Sequence, residues 1–197
     1  METNLAYKFE DERPQETING RPVMMATPTL NHNIVSGNVY RLFGDYLRGK
    51  TCMPFQDNTK VFLEKNERYI PDMMVVCDRG KLRRKGVYGA PDLVVEVISP
   101  GTGRNDRGPK KDVYERHGVR EYWIINPKDQ SIEQYVLENG RFVLRDIYSA
   151  ETPEETDGDE YADDEEQTPP VTEFHPALFE DMTVRLEDVF ENLIPGL

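Results

Sequence analysis

The sequence predicts an α/β domain built on a mixed central β-sheet. Three observations predict it. Two near-continuous apolar runs, Tyr69 to Cys77 and Leu93 to Ile98, read as central strands covered on both faces. Two other segments carry apolar residues at helical spacing. Asn19-Gly20 and Asn139-Gly140 stand between strand-like runs as hairpin turns. The order helix, strands, helix, strands in 197 residues fits one domain with a full core.

Each element has its own local reason. Residues 1 to 15 are rich in charge and read as a flexible arm, so the domain itself runs from 16 to 197. Glu16 to Met25 reads as a hairpin, and Thr27 to Thr29 as a Pro-containing loop. Asn31 to Leu47 is a helix, because Ile34, Val35, Val39, Leu42, Phe43 and Tyr46 follow the 3.6 period. Asn31 is the expected N-cap and Gly49 the expected stop. Lys60 to Leu63 is a short strand. Asp106 to Arg116 is the second helix, closed by Gly118. Glu121 to Ile125, Ser131 to Leu137 and Arg141 to Tyr148 are strands. Met182 to Leu186 reads as a last strand and Glu187 to Asn192 as a short helix.

Composition narrows the function. No apolar run approaches the ~20 residues that a membrane-spanning helix needs. The opening METNLAYKFEDERP carries no apolar signal core. Cys52 and Cys77 lie in apolar surroundings without CxxC spacing and read as reduced core residues. Together these features predict a cytoplasmic protein with no membrane association. Three dispersed histidines without close cysteine partners exclude a zinc-finger-type site.

The net charge of −13 argues at first against a nucleic-acid partner. Its distribution weakens that objection. Residues 151 to 170 hold ten acids and no base, and without them the formal charge moves from −13 to −3. That tract reads as a disordered insertion. A basic stretch, Arg79 to Lys85 (RGKLRRK), lies between the two apolar strands. Such a run is usually a solvated face, with phosphate contact as the alternative.

The polar residues inside the apolar runs carry the chemistry. Asp72 lies in the first run and Glu96 in the second. A carboxylate in a strand built for burial is costly unless paired or bound to metal. By alternation, Asp72 shares a face with Met74 and Val76, and Glu96 with Asp92, Val94 and Ile98. On adjacent strands, Asp72 and Glu96 could clamp one Mg²⁺ or Mn²⁺. Asp92 is roughly 13 Å from Glu96 along a strand and is expected to cap the strand entrance. Asp106, Lys110 and Tyr114 fall at i, i+4, i+8, on one helix face. There, Lys110 could stabilise a phosphate and orient water. Alternatively, Asp106 and Lys110 form a surface pair worth only ~0.3–0.5 kcal/mol. Glu16 is an accessory metal contact or a solvated hairpin glutamate. His32 is a phosphate-contacting or a purely structural histidine. Tyr122 and Trp123 read as core aromatics.

The combination ETINGRPVMM, His32 at a helix start, IPDMMVV, APDLVVEVISP, the Asp106–Lys110–Tyr114 spacing and GVREYWIINP resembles the Uma-type family of restriction-endonuclease-like proteins. The resemblance spans roughly Glu16 to Tyr148 and continues weakly into FHPALFEDMTVRLEDVF. It implies the PD-(D/E)xK nuclease core, a mixed sheet flanked by helices. It also implies that Asp72 and Glu96 hold Mg²⁺ or Mn²⁺, that Lys110 replaces the usual strand lysine (position 98 is Ile98), and that Glu16 matches an N-terminal family glutamate. The implied activity is metal-dependent endonucleolytic hydrolysis of phosphodiester bonds, DNA foremost, with a homodimer as the class's common state. The other readings are a catalytically silent module that binds nucleic acid or protein on the same fold, and a different metal-dependent hydrolase. The long acidic tract departs from the family pattern.

Overall fold

The computed structural model describes residues 15–18, 20–25, 27–65, 67–99, 101–149 and 171–196. Its first strands are β1 (Gln15–Ile18), β2 (Arg21–Met24), β3 (Met53–Gln56), β4 (Val61–Glu64), β5 (Glu67–Tyr69) and β6 (Met73–Val76). They are followed by β7 (Leu82–Arg83), β8 (Gly86–Tyr88), β9 (Leu93–Val97), β10 (Glu121–Asn126), β11 (Ser131–Glu138) and β12 (Arg141–Ser149). A short pair, β13 (Glu173–Phe174) and β14 (Val184–Arg185), comes last. The helices are α1 (Leu30–Tyr46), α2 (Gly103–Asn105), α3 (Lys111–Arg116) and α4 (Leu186–Val189), with a π turn, Asp106–Lys110, joining α2 to α3.

Side-chain alternation in β6, β9 and β10 sets the layers. Met73, Val75, Leu93, Val95, Trp123 and Ile125 enter one core. Met74, Val76, Val94, Tyr122 and Ile124 enter a second. Helix α1 covers the first face with Val35, Val39, Phe43 and Leu47. Helix α3 covers the other with Val113 and Tyr114. Each such buried side chain contributes about 1.5–3 kcal/mol. The central sheet runs β12-β11-β10-β9-β6-β3. It is mixed, because β9 and β10 are parallel while the other neighbours are antiparallel.

Several expectations need correction. A second six-stranded sheet, β2-β1-β5-β4-β8-β7, lies beside the central one. The run Tyr69 to Cys77 is not one strand. Pro71 has no N–H for a ladder, and the chain crosses there from β5 in one sheet to β6 in the other. Thr29, not Asn31, caps α1, its side chain accepting from His32 N. Asn31 instead exchanges hydrogen bonds with the backbone of Ile194. The second helix is not regular, because Pro109 removes a donor and Gly108 leaves helical geometry at φ −117, ψ −105. Gly118 stops α3 as expected, at φ +81.

Cys52 and Cys77 are not reduced but form a disulfide. Adjacent strands β3 and β6 are antiparallel with Met53 opposite Val76, so the two cysteines stand opposite each other. This pairing removes the cysteine argument for a reducing compartment. Asp92 behaves as expected, its Oδ2 accepting from Cys77 N at 2.7 Å. No helix among the described residues is long and apolar enough to cross a membrane. Most of the predicted arm and the tract 151–170 lie outside the described residues, though Gln15, placed in the arm, begins β1.

Candidate active site

The crossing at Pro71 delivers Asp72 to the start of β6, beside the end of β9. Its Oδ2 accepts from Val97 N at 2.7 Å and lies 3.1 Å from His32 Nε2. The Thr29 cap holds His32 in the first turn of α1. Ser36, one turn on, donates to the Asp72 carbonyl at 3.2 Å. The backbone ladder and a helix end thus fix this carboxylate from two sides.

Glu96 sits in β9 on the face covered by α3. Its Oε1 accepts from the Tyr114 hydroxyl at 2.9 Å, and its Oε2 lies 3.1 Å from Lys110 Nζ. Lys110 reaches two more carboxylates, Glu16 at 3.2 Å and Asp106 at 3.4 Å. Glu16, from the β1 hairpin, also accepts from Ile70 N at 2.9 Å. The expected helix-face spacing therefore holds despite the π turn. The Asp106–Lys110 contact is buried rather than a surface pair, and Glu16 is buried rather than solvated.

One cavity of about 280 Å³ gathers Glu16, His32, Asp72, Glu96, Asp106 and Lys110. All six residues that the sequence singled out meet there. Asp57, in the turn after β3, is a seventh. Nothing in the sequence marked it, since Asp57-Asn58 reads as an ordinary turn. The basic stretch Arg79 to Lys85 follows the far end of β6 and lines none of the cavity. Tyr122 and Trp123 are core aromatics as expected. Tyr122 also donates to the Asp106 carbonyl at 2.9 Å.

Five carboxylates thus face one lysine and one histidine. Burial opposes the Lys110 ammonium, but Glu96, Glu16, Asp106 and Asp72 outweigh it and hold its pKa well above 10.5. Burial pushes the Glu96 carboxyl up; Lys110 pulls it back, and Asp72, Asp106 and Glu16 add to the rise. A neutral Glu96 would remove the largest attraction acting on Lys110, so the two effects compete. Lys110 holds the proton, because four carboxylates stabilise it. Burial would lower His32, yet the hydrogen bond and charge of Asp72 leave it above 6.5. Asp57 is raised by burial and by Asp72. Asp106 is raised by burial against the pull of Lys110.

The residues fit a hard divalent cation. Their donors are carboxylate oxygens, which Mg²⁺ and Mn²⁺ prefer, and they outnumber the neighbouring cations. Asp106 Oδ1 is buried without a hydrogen bond, its Lys110 contact having ion-pair distance only. Among the described residues no trio of His, Cys, Asp or Glu makes a ready cage.

Comparison with known proteins places the chain in a family. Two proteins of Synechocystis sp. are similar in sequence. "Uncharacterized protein slr1290" is 27% identical over 136 residues, covering 68% of this chain and 72% of that one. "Uncharacterized protein sll1609" is 25% identical over 124 residues, covering 61% and 70%. The fold is similar to a solved structure described as a "putative nuclease belonging to DUF820 from Anabaena variabilis". That likeness has a TM-score of 0.67 at 15% identity, over 91% of this chain and 90% of that one. The Uma2 family model, described as "Putative restriction endonuclease", matches residues 1–162. With most of its length matched and a nuclease-like fold around a buried acidic cluster, the chain belongs to the Uma2 family.

Proposed function

We propose that this protein is a divalent-cation-dependent endonuclease hydrolysing phosphodiester bonds of nucleic acid, DNA foremost. One observation carries the reading: a buried ammonium, Lys110, set among Glu16, Glu96 and Asp106 at 3.1–3.4 Å in a cavity that Asp72 also lines. Buried charge is expensive, and a cluster with surplus carboxylate does not serve stability alone. Asp72 and Glu96 would hold Mg²⁺ or Mn²⁺. Such an ion supplies Lewis acidity and a more acidic bound water.

The chain's own residues do the rest. Glu16 and Asp106 keep Lys110 charged and in place, so its ammonium meets the charge that develops on a phosphate. His32, held by Asp72, supplies a second cation at the cavity wall when protonated. The apolar neighbours Val23 and Ile70 limit water, which strengthens both effects. A homodimer belongs to the same proposal. The β12 edge, with Val143, Leu144 and Ile147 exposed, is a surface where a second copy would dock.

The test is cleavage of plasmid and single-stranded DNA with Mg²⁺ or Mn²⁺ by the wild type, Asp72→Asn and Glu96→Gln. Metal-dependent cutting that drops roughly 10²–10³-fold in both variants supports the reading. Equal cutting by all three proteins defeats the site. No cutting by the wild type leaves a silent binding module on this fold.

A further inference from the structure

We propose that a basic groove beside the acidic cavity seats the phosphate backbone flanking the bond to be cut, an assignment that rests on the nuclease reading above. The groove encloses about 950 Å³. Its walls come from the α2–π turn segment, the β10–β11 turn and the C-terminal stretch around Ile194. Ser99 lines both the groove and the cavity, so the two share a rim.

The segment between them is two-faced. Thr102, Asn105 and Asp106 line the cavity. Gly103, Arg104 and Arg107 line the groove. With Lys128 from the β10–β11 turn, the groove has three cations, and no carboxylate lines it among the described residues. The cavity next to it holds five carboxylates. In a chain of net charge −13, that separation is a local inversion of sign at the place where a polyanion would have to pass.

The cations differ in their commitments. Arg107 is tied to Glu133 Oε1 at 2.7 and 2.6 Å. The side chains of Arg104 and Lys128 are exposed and have no ion-pair partner among the described residues. The walls behind them are fixed. Asn31 clasps Ile194 through both its backbone groups, at 2.8 and 3.0 Å. Lys128 N donates to Asn126 Oδ1 at 3.1 Å, which shapes the turn. Guanidinium and ammonium groups presented from a fixed wall suit successive phosphates. The cavity is too small and too acidic to hold those phosphates itself. The groove therefore adds affinity for a chain, while the cavity acts on one linkage.

The experiment measures binding of a fluorescent single-stranded DNA oligonucleotide in EDTA, across a NaCl series. It compares the wild type with Arg104→Gln/Lys128→Gln. Loss of two phosphate contacts should flatten the log–log salt slope by about 1.4, at ~0.7 per contact for single strands. Affinity at low salt should fall with it, while the unfolding midpoint stays unchanged. Hydrolysis of bis(p-nitrophenyl) phosphate with Mn²⁺, a diester with no flanking chain, should be unaffected. An unchanged slope and affinity in the double variant overturns the groove, as does a wild type that binds no oligonucleotide. A wild type that binds through Arg104 and Lys128 but never cuts keeps the groove and removes the nuclease reading. An Arg104→Glu/Lys128→Glu protein, with charge reversed, should bind more weakly still.

Discussion

Replacing Lys110 by Met isolates the electrostatics of the cluster. Lys110 is 7% exposed and lies 3.1–3.4 Å from Glu96, Glu16 and Asp106. Met keeps most of the volume and removes the charge. Breaking a buried ion pair by deleting one partner costs about 3–5 kcal/mol, because the other charge is left uncompensated. Here three carboxylates lose their nearest cation, so the upper part of that range is expected near neutral pH. At about 4–5 kcal/mol and ~2–4 °C per kcal/mol, the midpoint should fall by roughly 8–20 °C. The sign with pH follows from proton linkage. Stripped of the ammonium, Glu96 and Asp106 lose what pulled them down and titrate further above their unfolded values of about 4. The folded variant then holds more protons than its unfolded chain, so its stability falls as pH rises through that window. In the wild type, the raised Lys110 pKa contributes stability that is complete below 10.5 and lost only above it. Urea unfolding of both proteins at pH 5 and pH 8 reads the difference. The deficit should be larger at pH 8. A deficit under about 1 kcal/mol, equal at both pH values, would mean that Lys110 behaves as a solvated surface charge.

Three further outcomes are expected. Asp72→Asn should lower the His32 pKa, since burial is then opposed only by Asn33 and Asp57; NMR titration of the ring shows this. In the wild type the same pair contributes stability that is full below 6.5 and fades as pH rises through the raised value. Glu121→Ala should destabilise the fold, at about 1–3 kcal/mol for a buried donor left unsatisfied, because Glu121 accepts from Trp123 Nε1, Gln134 Nε2 and the amides of Ala177 and Leu178. Hydrogen exchange at those two amides should accelerate first. Unreduced protein should show no reactive thiol, and Cys52→Ser/Cys77→Ser should be roughly 3 kcal/mol less stable.

Much of the site was legible because the strands β6, β9 and β10 are apolar on both faces. A carboxylate in such a run has few places to go, which is why Asp72 and Glu96 stood out. The Asp106–Lys110–Tyr114 spacing survived a π turn that the pattern did not reveal, since the three side chains still converge near Glu96. Other features depend on contacts distant in sequence. Glu16 looks like a hairpin glutamate until β1 pairs with β5 and brings it to Ile70 and Lys110. The disulfide needs the β3–β6 register, and β3 is too short and too interrupted by Pro54 to announce itself. Short strands such as β7 and β8 depend on the second sheet rather than on local propensity. Asp57 joins the cavity through loop position alone. The groove cations Arg104 and Lys128 sit in turns, where an exposed base looks ordinary until the walls assemble around it.

If surplus buried carboxylate exists to seat a divalent cation, anchored by Asp72 and Glu96, the metal-free protein should bind Mn²⁺ stoichiometrically. Calorimetric titration with Mn²⁺ at pH 8, beside Glu96→Gln, decides this. One site is expected in the wild type, and that site should be lost in the variant. Identical Mn²⁺ binding by the two proteins, or none by the wild type, would rule out this metal site.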